Sequence, residues 1–190
     1  MKIIHSLSLL GAASLVFSAT LSAQNTEGVR ENKVTLTEHR HNNSITEFKG
    51  TPDDRVFLKT TLGPAKANGE RQTVMTTIYR KDAKGRLRSC KIHDGAGKLL
   101  FRVRYGYDPN TGRLAQEQML DAQVKRVDKD GQEAPVRTVY HTYNAQGQAN
   151  RPIGVVHIAG TTAEKFFSKD ESTYVNPMTV NPNARPVGNR

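Results

Sequence analysis

The clearest pattern in this chain is the run Leu99–Tyr107. Leu99, Phe101, Val103, Tyr105 and Tyr107 share one parity, and Leu100, Arg102, Arg104 and Gly106 share the other. A period of two over that length predicts a strand with one buried face and one largely wet face. Val34–Glu38 alternates apolar residues with Thr and Glu and predicts another strand. The polar stretch 39–44 breaks it, and Ile45–Phe48 resumes it. Arg55–Leu62 and Thr73–Arg80 are rich in Thr, Val, Ile and Tyr and predict two more. Gly63–Glu70 between them reads as a loop from its Gly and Pro content. Val136–Tyr143 and Ile153–Gly160 are the last strands expected. Arg113–Leu120 contains good helix formers, but it continues a series of strands, with Leu114 and Leu120 in matching parity, and is assigned to β.

Beyond the strands, Thr161–Asp170 carries a capping-box signal, with Glu164 three residues after Thr161. It predicts one short helix that packs Phe166 and Phe167 on the sheet, with a strand through Lys165–Ser168 as the alternative. Asn176–Arg190 holds three prolines and several asparagines and predicts a disordered tail.

The turns between strands share a plan. Asp82 is followed by Gly85, Asp94 by Gly97, Asp108 by Gly112 and Asn144 by Gly147. Arg86, Lys98, Arg113 or Gln148 comes directly after the glycine. Asp121 keeps the acid but has Val124 where glycine is expected. The aspartates recur every 12 to 14 residues, which is one strand plus one turn. Asp or Asn opens such a turn by accepting from backbone N–H groups just ahead. Glycine then takes the left-handed position that lets the next strand leave. The Asp108 turn is one residue longer, and Pro109 suits its first central position. Intervals this short admit only hairpins, because parallel strands need a longer crossover. The fold class is therefore mainly β: an antiparallel up-and-down meander of hairpins, one short C-terminal helix and a disordered tail.

The stretch Tyr105-Gly-Tyr-Asp-Pro-Asn-Thr-Gly-Arg-Leu114, with Tyr79–Leu87 before it and Tyr143–Ala149 after it, resembles the YD-repeat (Rhs-type) family. The resemblance covers about residues 79–148. It implies an extracellular β-scaffold of a kind associated with carbohydrate binding and, in large toxins and adhesins, with encapsulation. A handful of repeats cannot close a shell, so the exported scaffold is the part that carries over.

The chain begins with Met1-Lys2, an apolar stretch around Leu9, Leu10, Leu15, Val16 and Phe17, and small residues up to Ala23. This predicts a secretory signal peptide over 1–23, since the apolar part falls short of the roughly 20 residues of a membrane span. The mature chain is expected in the periplasm or secreted, with no span left. The layout is then a weakly patterned β segment over 24–72, the repeat sheet over 73–160, a short helix and return over 161–175, and the tail over 176–190. Cys90 is the only cysteine, so no internal disulfide forms, and it reads as a small apolar strand residue. The formal charge is +10, which favours acidic partners. The charges are dispersed, with no stripe of interleaved aromatics, so an anionic glycan or envelope polymer is expected rather than nucleic acid.

Catalytic and metal chemistry find little purchase. His39 and His41 could chelate with a third ligand from His93, His141 or His157, but nothing in their spacing fixes a site, and neither metal nor cofactor is expected. Cys90 and His93 fall on opposite sides of a strand. The turn acids each have a turn to form, so no catalytic residue is assigned. Arg102 and Arg104 share the wet side of one strand, Arg86 and Arg88 are similarly spaced on the strand before, and Arg113 starts the strand after. Together they are expected to form an arginine patch suited to sulfated or carboxylated glycans; the alternative is a charged solvent face that serves solubility. The function expected is an exported non-catalytic β-scaffold or binding protein. The alternatives are a hydrolase of surface polymers and an interaction protein that pairs through a free sheet edge.

Overall fold

The computed structural model describes residues 34–39, 42–50, 53–158, 163, 167, 172–174 and 184–186. The expected signal peptide lies outside them. Nine strands run in chain order: β1 (Val34–His39), β2 (Ser44–Lys49), β3 (Val56–Ala65), β4 (Arg71–Lys81), β5 (Leu87–Asp94), β6 (Leu99–Tyr107), β7 (Leu114–Asp121), β8 (Arg137–Tyr140) and β9 (Ile153–Val156). Each pairs antiparallel with its chain neighbours, giving the order β1 to β9 in one sheet. This is the meander that the short turn intervals require. Strand β4 runs across position 72, so the weakly patterned segment and the repeat segment share that sheet.

A short tenth strand, β10 (Ala184–Pro186), lies on the outer edge of β1, with Pro186 opposite Thr37. Part of the expected disordered tail is thus paired: the edge of β1 offers a row of backbone groups, and these three residues answer it. The rest of the tail lies outside the described residues. No helical element forms among the described residues. Of the expected helix only Ala163 and Phe167 are described, joined by a bond from the Phe167 N–H to the Ala163 carbonyl (3.0 Å).

The core lies on one face. Phe57, Tyr79, Cys90, Val103, Met119 and Arg137 stand opposite one another in register across six strands. Ile92, Phe101 and Tyr105 share that face, and Ala163, Phe167 and Tyr174 pack against it. Phe57 stacks on Tyr79 at 4.8 Å between ring centroids, and Tyr174 meets both rings edge-on at 6.0 and 5.6 Å. Phe167 meets Phe101 in the same way at 6.2 Å. Each large apolar side chain so buried contributes roughly 1.5–3 kcal/mol, so the C-terminal residues supply the second layer that a single sheet lacks. The opposite face holds a smaller cluster of Val56, Leu58 and Ile78.

Two local corrections follow from bulges. Strand β3 continues through Gly63, Pro64 and Ala65, within the expected loop, because register shifts at Thr61–Leu62 and Leu62–Ala65 absorb the glycine and proline. In β7 a register shift next to Gly106 puts one extra residue against β6. Leu114 therefore faces the core opposite Tyr107, whereas Leu120 stands opposite Arg102 on the other face. One bulge flips parity, and beyond it the residues that β7 turns to the core are Glu117 and Met119.

The hairpin turns are closed by backbone and side-chain hydrogen bonds. In the first of the type, the Asp82 N–H donates to the Arg86 carbonyl (2.8 Å) and the Gly85 N–H to the Asp82 carbonyl (3.1 Å). Asp82 Oδ1 accepts the N–H groups of Lys84 and Arg86, both at 2.9 Å. Gly85 sits at φ 76°, where a side chain is strained. The same two backbone bonds close Asp94–Lys98 and Asn144–Gln148, and also Lys66–Glu70 and Asp128–Gln132. Asp121 accepts from the N–H groups of Gln123 and Val124. From there the chain makes an excursion over 122–135, and the Val136 N–H returns it to the Met119 carbonyl.

Candidate functional site

Alternate hairpins of a meander emerge at the same end of the sheet, so the turns that follow β4, β6 and β8 form a row. Side chains link them. The Arg86 guanidinium lies over the Tyr107 ring at 4.4 Å, and the Tyr107 hydroxyl donates to the Leu87 carbonyl at 2.7 Å. One step along, Arg113 lies over the Tyr143 ring at 5.1 Å, and the Tyr143 hydroxyl donates to the Leu114 carbonyl at 3.1 Å. Tyr107, just before Asp108, and Tyr143, just before Asn144, thus each hold the Arg-Leu pair of the previous turn in the row. The contact ties consecutive turns of the row to one another.

The two arginines differ in what else they meet. Arg86 pairs with its own turn acid: Nε reaches Asp82 Oδ2 at 3.0 Å and Nη2 at 2.9 Å. The turn at Asp108 is one residue longer. There Asp108 Oδ1 is taken by the N–H groups of Asn110 (3.0 Å) and Thr111 (2.6 Å) and by the Thr111 hydroxyl (2.9 Å). These bonds, the Thr111 N–H first, hold the Asp108 carboxyl below the usual aspartate range. No carboxylate among the described residues pairs with the Arg113 guanidinium. It sits instead between the Tyr143 ring and the backbone of Gly147, where a Cβ would collide with it.

Arg113 lines an open cleft of about 330 Å³ together with Asp108, Thr111, His141, Thr142 and Tyr143. His141 connects this cleft to the core. Its Nε2 lies 2.9 Å from Glu117 Oε1. Glu117 is only 2% exposed and also accepts the Ser172 hydroxyl on Oε1 and the Thr173 N–H on Oε2 (2.9 Å). The second charge buried on this face is Arg137, whose guanidinium lies over the Phe167 ring at 5.7 Å. Neither Glu117 nor Arg137 stood out in the sequence. The available signal was register: the bulge in β7 sets Glu117 opposite Tyr105.

The five arginines expected to form a patch fall in three places. Arg102 and Arg104 do share the face away from the core, where both bind Glu133 of the excursion, Arg104 at 3.1 Å. Their partners on β5 are Lys91 and Ser89, however, not Arg86 and Arg88. Arg88 is exposed beside the register shift between Arg80 and Lys81, and that shift is why simple alternation misplaces it. Arg86 and Arg113 belong to the row of turns.

The remaining candidates are quiet. Burial pushes the Cys90 thiol up to about 12, and the Tyr105 hydroxyl donates to its sulfur at 3.6 Å. His93, on the opposite face of β5, is buried, and that burial lowers its pKa. His39 Nε2 meets the Thr46 hydroxyl at 2.8 Å, and His41 lies outside the described residues. No group of three His, Cys, Asp or Glu side chains gathers around a common point among the described residues. The chain matches no protein-family model and no curated protein.

Proposed function

We propose that this chain is an exported, non-catalytic β-scaffold that binds an anionic glycan of the cell envelope or exterior in the cleft beside Arg113. The observation that carries this reading is the arginine itself. Its guanidinium is oriented by Tyr143 and Gly147, borders an open cleft, and has no carboxylate partner among the described residues. A guanidinium oriented in advance binds a carboxylate or sulfate through two parallel N–H bonds and loses little freedom in doing so. The hydroxyls of Thr111 and Thr142 and the second oxygen of Asp108 suit the hydroxyls of a sugar. The formal charge of +10 brings acidic polymers to the surface. The apolar segment at 1–23 supports export, and the likeness to YD repeats supports an exterior scaffold.

The test is retention of residues 24–190 on immobilised carboxylated or sulfated glycan. Retention should fall with salt, since the contact is ionic. Arg113→Ala should weaken it by about tenfold or more, the effect of losing one charge-assisted contact. Arg102→Ala with Arg104→Ala should change it less, because Glu133 already occupies both side chains. No retention, or retention indifferent to Arg113→Ala, would overturn the reading.

A further inference from the structure

We infer that occupancy of the cleft and docking of the C-terminal segment onto the sheet are coupled through the shared carboxylate of Glu117; the inference rests on the glycan contact at Arg113. A carboxylate as buried as that of Glu117 persists only when its lone pairs are used. Three donors use them. His141 comes from the cleft wall, while the Ser172 hydroxyl and the Thr173 N–H come from a segment more than 50 residues beyond Glu117 in the chain. That segment is held nearby as well. The Tyr79 hydroxyl donates to the Thr173 carbonyl at 2.8 Å, and Tyr174 packs edge-on to Phe57 and Tyr79. Glu117 is the one charged anchor among these contacts, and it also touches a residue of the cleft.

An imidazole has two nitrogens, and Nε2 of His141 is committed to Glu117. A ligand seated beside His141 and bonded to its other nitrogen fixes the ring, and with it the contact that Nε2 makes with Glu117. The Glu117 carboxylate is then held in the orientation in which it accepts from Ser172 and Thr173. In the other direction, release of Ser172 and Thr173 strips two donors from a buried carboxylate. His141 must then turn further toward it, and the cleft wall changes. Linkage makes the two effects equal in free energy.

The experiment is amide hydrogen exchange at Thr173 in the mature chain, with and without saturating oligogalacturonate, a carboxylated glycan. Bound ligand should slow exchange at Thr173 by about fivefold or more, the usual lower range for coupled sites. Ser172→Ala should weaken oligogalacturonate binding. His141→Phe, which removes the link while the Glu117 carboxylate stays, should speed Thr173 exchange and make it insensitive to ligand. Binding that leaves Thr173 exchange unchanged overturns the coupling. If oligogalacturonate does not bind at all, the glycan reading fails instead. The link is then judged on the ligand-free protein alone, and it is overturned if His141→Phe leaves Thr173 exchange as it was.

Discussion

The turns at Asp82 and Asp108 are two versions of one device, and a single extra residue separates them. In the shorter, Asp82 divides its oxygens: one holds the backbone of Lys84 and Arg86, and the other holds the Arg86 side chain. In the longer, Thr111 sits within reach of Asp108 and takes the same oxygen with both its N–H and its hydroxyl. The arginine that follows the glycine stacks on a tyrosine in both cases. In the shorter turn it is neutralised at once, and in the longer it is presented to a cleft. The difference teaches that spare length in a turn can turn a structural arginine into one available for recognition, with no change in the sheet beneath.

The most direct way to break this comparison is to make the turns alike. Deleting Asn110 should bring Arg113 back to Asp108 and weaken glycan retention by about tenfold or more. The midpoint of urea unfolding should barely move. Undiminished retention would mean that turn length is not what frees Arg113. Next come the tyrosines. Tyr107→Ala should lower unfolding stability by about 2 kcal/mol, through the lost ring and the lost hydroxyl contact. Tyr143→Ala should have a smaller effect on stability, yet it alone should lower retention, because only Tyr143 holds the unpaired arginine.

The glycines give a finer contrast. Gly85→Ala should destabilise by about 1 kcal/mol, through the left-handed backbone alone. Gly147→Ala meets the same strain at φ 78° and also displaces the Arg113 guanidinium, so retention should fall along with stability. Equal retention by the two variants would count against the packing described for Arg113. The smallest effect is acid dependence. The Arg86 N–H is the main cause that lowers the Asp82 carboxyl, as the Thr111 N–H is for Asp108. Folded values below unfolded values mean that this support is complete above the ordinary aspartate range and fades as pH falls through the folded values. Asp82→Asn and Asp108→Asn should each flatten the acid limb of a stability-against-pH curve, and an unaltered limb would show that the turn bonds do not favour the charged form.

Much of this architecture can be read from the chain. Alternation in Leu99–Tyr107 and the Asp-to-Gly interval specify antiparallel hairpins, because neither admits another connection. The turn Asp128–Gln132 carries the same Asp-x-x-Gly pattern, but it does not stand out in the sequence, because no strand is expected on either side of it. Parity beyond a bulge was not legible. Whether Leu114 and Leu120 face the same way depends on one unpaired residue in β7, which alternation cannot reveal. Glu117 was the least visible residue of all. In Leu-Ala-Gln-Glu-Gln-Met-Leu it resembles its solvent-facing neighbours, and what allows its burial is a hydroxyl and an amide more than 50 residues away. The cleft likewise depends on which turns share an end of the sheet, and that is a property of the completed meander.

Thr173 bridges strands that are not neighbours, and this sets a limit on how the protein can vary. Its N–H reaches Glu117 on β7, and its carbonyl reaches Tyr79 on β4. Those strands stand three spacings apart, about 14 Å at the usual separation. A meander lengthens easily: duplicating a hairpin inserts two strands and disturbs no other pairing. A duplication between Tyr79 and Glu117 would move these anchors apart by about another 10 Å, and a single residue could no longer touch both. The C-terminal segment therefore acts as a gauge. It leaves hairpin number free outside this interval and counts the strands within it.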